Sequence, residues 1–504
     1  MTGPGVTSAK PLEALFRPAL VLMSGRLLGF IVAFAIPMVL ARVFDPTDFG
    51  TYKQLFLIFG TLFAVAQLGM AESLYYFLPS RDGEAGHYVF NTLTMAALLG
   101  LCSLAGLWLF RQELAELMNN PALTELVPLV GVYLLFMLMA VVLEIVMTIR
   151  RRFSVASSTY ALTDIARAVF YLVPVLLMAD LRSLMLGAVV FALARLAVTL
   201  LYVRRVFGPD LAPDRGALAD QVRYAVPFGI AGIIEVAQVK YHLFAVSYAF
   251  DTATFAIYAV GCLQIPLSDY LVTSTGNVTM VNMRERLLAG DSGGTLAVWL
   301  DASRKLGMMF FPLVAGLLVM AHPLIVLLFT DSYAASVPIF MVWTLGMVLS
   351  ALLTSSALRV FALTRFLIVQ NLIRLSLVVL LLQLFLDRFG LIGAVMVTLL
   401  ADVVVKIIAL ERVRRELDVG PAELLPWRSL VVTALLSTVA ALPAWLIVAS
   451  VPAPEFVLLA LAGPTFAVTY FLLLRQFGPL HDEERAQLSE WVQRPLFWIR
   501  GAAS

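Results

Sequence analysis

The residues best suited to chemistry are cations that lie inside long apolar runs. Arg26, Lys53 and Lys240 each sit within such a run, and none has an acid three or four positions away. A cation inside a membrane is costly unless water, a partner or an anionic ligand relieves it. Cations around a cavity would suit an anionic substrate, and arginine binds phosphate through paired hydrogen bonds. The alternative is that these cations snorkel to the membrane surface or pair with an acid such as Glu235. For Lys53 this alternative is as strong as substrate binding.

Two further cations share polar helical faces and complete the candidate substrate-binding set. Arg167 follows Asp164 by one helical turn, and the two are predicted to pair. Arg374 lies on the same face as neighbouring amides of its own run. For both arginines, cavity lining and helix packing are equal alternatives. Asp402 and Lys406, at i and i+4, are predicted to form a structural pair, and Arg195 is given no role.

Three acids inside apolar runs are candidates for ion coupling: Asp164, Glu235 and Asp269. A carboxylate within a membrane usually faces a partner or a cavity, where it can carry H⁺ or Na⁺. For Asp269, helix packing is at least as strong an interpretation.

The remaining reactive side chains form no recognisable centre. The two cysteines lie in apolar runs and the four histidines are scattered, so no disulfide framework or metal cluster is predicted. We therefore predict no metal, no cofactor and no catalytic residue. The net charge of +2 implies no bulk attraction to nucleic acid.

The elements that position these residues are membrane spans. Hydrophobic residues make up 61% of the chain and charged residues 13%, and the mean hydropathy is +0.93. Since a span needs about 20 apolar residues, the sequence predicts an all-α, polytopic membrane protein. The fourteen predicted spans are 16–40, 51–78, 88–110, 124–148, 156–179, 184–206, 223–249, 252–280, 303–328, 335–358, 364–386, 390–411, 427–449 and 455–476. The loops are too short for a soluble catalytic domain.

Orientation follows from the distribution of lysine and arginine. With the N-terminus in the cytoplasm, the inner segments hold 24 of the 35 cationic residues and the outer loops hold 4. Because cytoplasmic loops carry an excess of positive charge, this split predicts that both termini are cytoplasmic.

The chain also contains an internal repeat. Phe44-Asp45, Phe49 and Tyr52 recur 206 positions later as Phe250-Asp251, Phe255 and Tyr258, and Gly187-Ala188-Val189 recurs at the same offset. The repeat predicts two six-helix lobes of like orientation, 1–210 (spans 1–6) and 211–420 (spans 7–12), followed by 421–504 with spans 13 and 14 and a cytoplasmic tail. Parallel repeats of this kind are typical of transporters whose substrate site lies between the halves.

At residues 41–52 the sequence reads ARVFDPTDFGTY, followed at 67–81 by QLGMAESLYYFLPSR. These segments resemble the opening of the polysaccharide transporters, which are O-antigen or exopolysaccharide repeat-unit flippases of the multidrug/oligosaccharidyl-lipid/polysaccharide flippase superfamily. The likeness extends through YAVPFG at 224–229 and loosely covers residues 20–415. Phe44-Asp45 replaces the usual Leu-Gly, which leaves the subfamily open.

The resemblance implies a bacterial inner-membrane flippase with a V-shaped pair of lobes and a cationic cavity. Its substrate would be an undecaprenyl-diphosphate-linked oligosaccharide repeat unit for O-antigen, capsule or exopolysaccharide. The implied partners are this lipid-diphosphate-linked oligosaccharide, membrane lipids, a coupling ion (H⁺ or Na⁺), and the polysaccharide polymerase and glycosyltransferases of the same pathway.

Three other functions remain as alternatives. A lipid II flippase shares the superfamily and also uses intramembrane arginines. A multidrug antiporter would rely on acids to bind cationic drugs, whereas the unpaired charges here are mostly cations. A membrane enzyme such as a sugar polymerase would need a large outer loop, which the short loops disfavour.

Overall fold

The protein is helical throughout the part of the chain that the structure describes. The computed structural model describes residue 29 and residues 31–80, 82–150 and 153–486, and it contains no strand within them. A helix satisfies all of its own backbone hydrogen bonds, which lipid cannot do, so long apolar segments become helices in a membrane. The predicted all-α, polytopic membrane fold is therefore confirmed.

The helices are numbered in chain order. Those up to the middle of the chain are α1 (Ile31–Val43), α2 (Pro46–Ala66), α3 (Met70–Ser80), α4 (Ala85–Leu109), α5 (Arg111–Leu117), α6 (Leu123–Ala140), α7 (Val142–Ile149), α8 (Phe153–Met178), α9 (Leu181–Phe207) and α10 (Arg215–Ala249). The later ones are α11 (Thr252–Gly261), α12 (Pro266–Leu288), α13 (Ser292–Val319), α14 (Ala321–Phe329), α15 (Val337–Leu345), α16 (Thr354–Val360), α17 (Thr364–Leu417), α18 (Trp427–Ser450) and α19 (Glu455–Phe477).

In the described residues, 11 helical segments are long and apolar enough to cross a membrane. Within the described residues, the predicted spans are largely helical. The difference in number has three sources: α1 is short within the described residues, the predicted span 252–280 is divided between α11 and α12, and α17 contains two predicted spans. Gly390, with φ 58°, interrupts α17 where the sequence predicts the second of these spans to begin.

Aspartates begin many of the helices. Asp45, Asp180, Asp214 and Asp291 each accept a hydrogen bond from a backbone N–H in the first turn of α2, α9, α10 and α13. Asp251 does the same for α11, accepting from the backbone N–H of Thr254 at 3.0 Å. Outside the membrane, these backbone bonds lower the pKa of Asp251 and Asp291 below the usual range.

By packing, the chain forms two compact units, residues 1–256 and 257–504. In the first unit α10 packs along α2, α3 and α4. Gln54 of α2 donates to the Ser247 hydroxyl at 2.8 Å, and an added Cβ at Gly50 would overlap the carbonyl of Thr252. The predicted division at residues 210 and 420 follows span number rather than packing, and it stays a prediction.

In the second unit α13 is a central helix, in contact with α12 and α18. Trp299 is fully buried and donates its indole N–H to the carbonyl of Leu424 at 2.9 Å. Arg304, 6% exposed, donates to both carboxylate oxygens of Glu484 at 2.7 Å and to the carbonyl of Pro479. The segment after α19 is thereby held against α13.

The repeated motifs adopt matching local structures. Asp45 and Asp251 both cap a helix, and the aromatic residues that follow, Phe49 and Phe255, are both buried. The two repeated glycines also agree: an added Cβ would overlap the carbonyl of Phe170 at Gly187, and that of Phe385 at Gly393. Gly187 thus lets α9 pack against the backbone of α8, and Gly393 lets the second half of α17 pack against the first half across the break at Gly390. The parallel orientation of the two lobes stays a prediction.

Candidate functional site

Two cations of the first unit lie close together without a carboxylate partner. Lys53 of α2 places its ammonium 5.2 Å from the ring centroid of Phe49 and 5.7 Å from that of Tyr52. It is near enough to Lys240 of α10 for the two positive charges to repel each other. Within the described residues neither lysine forms an ion pair. Like charges held together are unfavourable unless water or an anion lies between them, so this pair can hold an anion.

Arg167 belongs to the same region but has its own partner. Its guanidinium pairs with the Asp164 carboxylate one turn away, as the sequence predicts, and the two side chains are 28% and 22% exposed. Arg167 also interacts electrostatically with Tyr52 and with Tyr171, whose hydroxyl donates to that of Tyr133 at 2.8 Å. Arg167 and Lys53 therefore lie near the same tyrosine, although one is paired and the other is not.

The first predicted cation, Arg26, lies outside the described residues. Gly29, three positions later, packs so closely on α8 that an added Cβ would overlap the Asp164 carboxylate. Gly29 therefore permits a close approach between this segment and α8.

Glu235 of α10 is exposed and forms no ion pair within the described part of the chain. The alternative in which it neutralises Lys240 is not realised in the structure. Gln238 and His242 of the same helix are buried.

In the second unit, the predicted pair of Asp402 and Lys406 is wrong. Asp402 pairs with Arg374, from the other half of α17, with Nη2 at 3.2 Å from Oδ2 and a second contact through Nε. Lys406 donates to the Thr354 hydroxyl at 3.1 Å. A guanidinium offers two parallel N–H groups to a carboxylate, which a lysine on the same helix cannot match. Arg374, only 14% exposed, thus packs two helix segments together.

Asp269 lines a cavity of about 180 Å³ in the second unit. A second cavity of about 270 Å³ adjoins it, and the two share Gly346, Ser350 and Asp402 in their walls. Lys406 lines the second cavity. Asp269 itself has no ion-pair partner among the described residues.

Sequence reasoning missed one feature in each unit. One is the interhelical ion pair of Arg195 with Glu144, at 2.8 Å and with 16% and 5% exposure, which joins residues 51 positions apart. The other is a 3-10 segment, Gly346–Leu352, followed by Leu353 in a left-handed conformation. Gly346, where this segment begins, could have indicated a break in the helix, but the apolar residues continue on both sides of it and therefore predict one unbroken span. Within the described residues, no three histidines, cysteines or acids are placed to hold a metal ion.

Comparison with known proteins gives a family and a fold. Residues 39–338 match the model of a family described as polysaccharide biosynthesis protein. A search of curated proteins finds no match.

Solved structures share the fold at low sequence identity. A lipid II flippase, MurJ, in an inward closed conformation, aligns with a TM-score of 0.71 and 12% identity, over 92% of this chain and 98% of that one. A multidrug resistance MATE family transporter of the MOP superfamily, facing inward, aligns with a TM-score of 0.61 and 15% identity, over 79% of this chain and 98% of that one. A MOP superfamily transporter from Pyrococcus furiosus aligns with a TM-score of 0.54 and 16% identity, over 81% of this chain and 96% of that one.

Proposed function

This chain belongs to the polysaccharide biosynthesis protein family, and we propose that it is a flippase that moves a lipid-linked oligosaccharide across a bacterial inner membrane. The proposed substrate is an undecaprenyl-diphosphate-linked repeat unit for a surface polysaccharide. It would be made by glycosyltransferases on one side and consumed by a polymerase on the other. The excess of cationic residues in the inner segments supports cytoplasmic termini.

The observation that carries the proposal is the pair of partnerless lysines, Lys53 and Lys240. A charge removed from water needs a counter-charge or water. These two half-buried ammonium groups are within electrostatic reach of one another, and neither pairs with an acid among the described residues. A diphosphate would supply the missing negative charge, with Arg167 near the same tyrosines. Arg26 is proposed as a further contact from its sequence alone. A cationic drug would be repelled by such a pair, which disfavours the multidrug antiporter.

The coupling ion is a separate proposal. Of the three acids named from the sequence, Asp164 already has Arg167 as a partner, whereas Glu235 and Asp269 have no cation within ion-pair distance among the described residues. Glu235 is the acid that we propose to respond to H⁺ or Na⁺.

The test is transport in proteoliposomes of three labelled probes: undecaprenyl-diphosphate-linked sugar, lipid II and a cationic dye. We expect the first to be transported, and Lys53→Ala and Lys240→Ala each to reduce its rate about tenfold or more per folded molecule, because each removes a charge-assisted contact. Arg195→Met is the control, since Arg195 is held by Glu144: stability falls while the rate per folded molecule is kept.

Other results would point elsewhere. Selective movement of lipid II would support the peptidoglycan alternative, and movement of the dye alone would support the antiporter. Full normalised transport in both lysine variants would refute the cationic site. For Arg26, alanine should abolish transport and lysine should restore it only in part, because an ammonium cannot make the paired contact with phosphate.

A further inference from the structure

We propose that the two adjoining cavities of the second unit form a subsite for an uncharged sugar of the substrate. The inference rests on the proposed flippase function and adds to it a separate place for the saccharide. The cavities are lined only by residues of the second unit.

Irregular backbone at the cavity is the first observation. Between α11 and α12, residues 263–265 are not helical, and all three line the smaller cavity. The 3-10 segment Gly346–Leu352, which Leu353 ends with φ 40°, contributes Gly346, Met347 and Ser350 to the same cavity. Within a membrane, non-helical backbone is tolerated where it lines a water-filled cavity, and broken helices mark the binding sites of transporters. Two such breaks on one cavity indicate a site for a polar ligand.

The side chains that line the cavity suit sugar hydroxyls. A sugar presents hydroxyl groups around its rim and C–H groups on its faces. Asp269 supplies an acceptor-only carboxylate that two neighbouring hydroxyls can share, and Gln264 and Ser350 can both donate and accept. Trp343 adds an aromatic surface suited to C–H groups. Few polar groups beside an aromatic wall are the usual composition of a small-molecule site.

Charge and size favour a neutral sugar over an ion. Arg374 pairs with Asp402, Asp269 lines the smaller cavity and Lys406 lines the larger one, so the four charges of this region sum to zero. The smaller cavity alone holds the liquid volume of about six waters, which is far more than one Na⁺ needs.

The test compares binding of lipids with and without sugar. The probes are undecaprenyl diphosphate and the same lipid bearing one N-acetylglucosamine, N-acetylgalactosamine, glucose or galactose, measured by native mass spectrometry on the full chain. We expect wild type to bind at least one glycosylated lipid more tightly than the bare one. Asp269→Asn and Ser350→Val should each weaken the binding of that glycosylated lipid about tenfold, because each variant loses a hydrogen bond to a sugar hydroxyl. The affinity for the bare lipid should stay unchanged.

The matched control is Asp387→Asn, an exposed aspartate of the same unit that bonds only Gln383 among the described residues and lines neither cavity. It should leave both affinities unchanged. In contrast, Lys53→Ala should weaken the binding of the glycosylated lipid and of the bare lipid to the same extent.

The outcomes separate the subsite from the flippase. If wild type binds the bare lipid but Asp269→Asn and Ser350→Val leave the glycosylated lipid unaffected, or if no sugar in the panel improves on the bare lipid, the subsite is wrong and the flippase stands. If Asp269→Asn removes only a dependence on Na⁺ or pH, the cavity is an ion site and the subsite is likewise overturned. If wild type binds no lipid diphosphate at all, the proposed function itself fails.

Discussion

At the scale of single residues, arginine and lysine in the described spans behave differently. The arginines Arg167, Arg195 and Arg374 each pair with a carboxylate, whereas Lys53 and Lys240 pair with none. The planar guanidinium matches a carboxylate with two parallel donors, so it holds helices together. An ammonium is a point charge that water or a mobile anion can satisfy equally well. These three arginines are therefore held by carboxylates in the structure, whereas the two lysines are not.

The pair of Arg195 with Glu144 gives the sharpest test of that division. Removing either charge leaves the other buried, so Arg195→Met and Glu144→Gln should each cost about 3 kcal/mol of unfolding free energy. The double variant should cost clearly less than the sum of the two, because no charge is then stranded. Chemical denaturation in detergent measures all three. Additive losses would show that the pair is not coupled.

Outside the membrane, Glu484 predicts a pH dependence. Hydrogen bonds from Arg304 lower its pKa from the ordinary value of 4.5 to about 2. A lowered pKa means that the stabilisation is complete above the ordinary value and is lost as pH falls towards 2. Glu484→Gln should therefore lower the unfolding temperature at pH 7, with a difference that shrinks below about pH 4.5.

Its control is Glu483→Gln, since Glu483 is exposed and forms no ion pair within the described residues. That variant should unfold like wild type at every pH. A difference between Glu484→Gln and wild type that stays constant down to pH 3 would contradict the argument.

At the scale of elements, hydropathy predicts where helices lie but not where they break. Where the structure describes them, the predicted spans are largely helical, because twenty apolar residues leave few other solutions in lipid. The interruptions at Leu68-Gly69, at residues 263–265 and at Gly346–Leu352 went unpredicted. The apolar run continues through each of them, and what fixes the break is packing: Gly69, with φ 73°, lies against the carbonyl of Ala225 on α10.

Two glycines of α2 predict opposite outcomes for the same substitution. Gly50→Ala would drive its Cβ into the backbone of Thr252, which cannot rotate away, so it should cost about 1–3 kcal/mol. Gly60 has no neighbouring atom within 4 Å of an added Cβ, so Gly60→Ala should be neutral or stabilise by up to about 1 kcal/mol. Thermal unfolding of both variants in detergent measures the difference. Equal effects would mean that α2 and the start of α11 do not pack closely.

At the scale of the whole molecule, the sequence predicts the family better than the site. The resemblance read at residues 41–81 is confirmed by the family match, since those motifs are local in sequence. The Asp164–Arg167 pair was predicted for the same reason. The Arg374–Asp402 pair joins residues 28 positions apart and depends on how α17 turns at Gly390, which no periodicity encodes. The proximity of Lys53 to Lys240 depends likewise on α10 packing against α2.

The orientation of the whole chain is testable without a substrate. Because positive charge accumulates in alternate connections, reporter fusions at Ser336 and Pro452 should read as outside the cytoplasm, and a fusion at Gly290 as inside. A reversed reading at any of the three would show that a span is missing or added in the predicted topology.

The contact of Arg304 with Glu484 also has a consequence for biosynthesis. The two residues are 180 positions apart, so at roughly 5–20 residues per second the ribosome makes Arg304 about 10–40 seconds before its main partner. During that interval the guanidinium has Asp301 beside it, but not the two oxygens of Glu484 or the carbonyl of Pro479. A chain that ends before residue 484 leaves this arginine without the two carboxylate oxygens that it binds in the full structure. The packing of α13 is therefore completed only after residue 484 has been made.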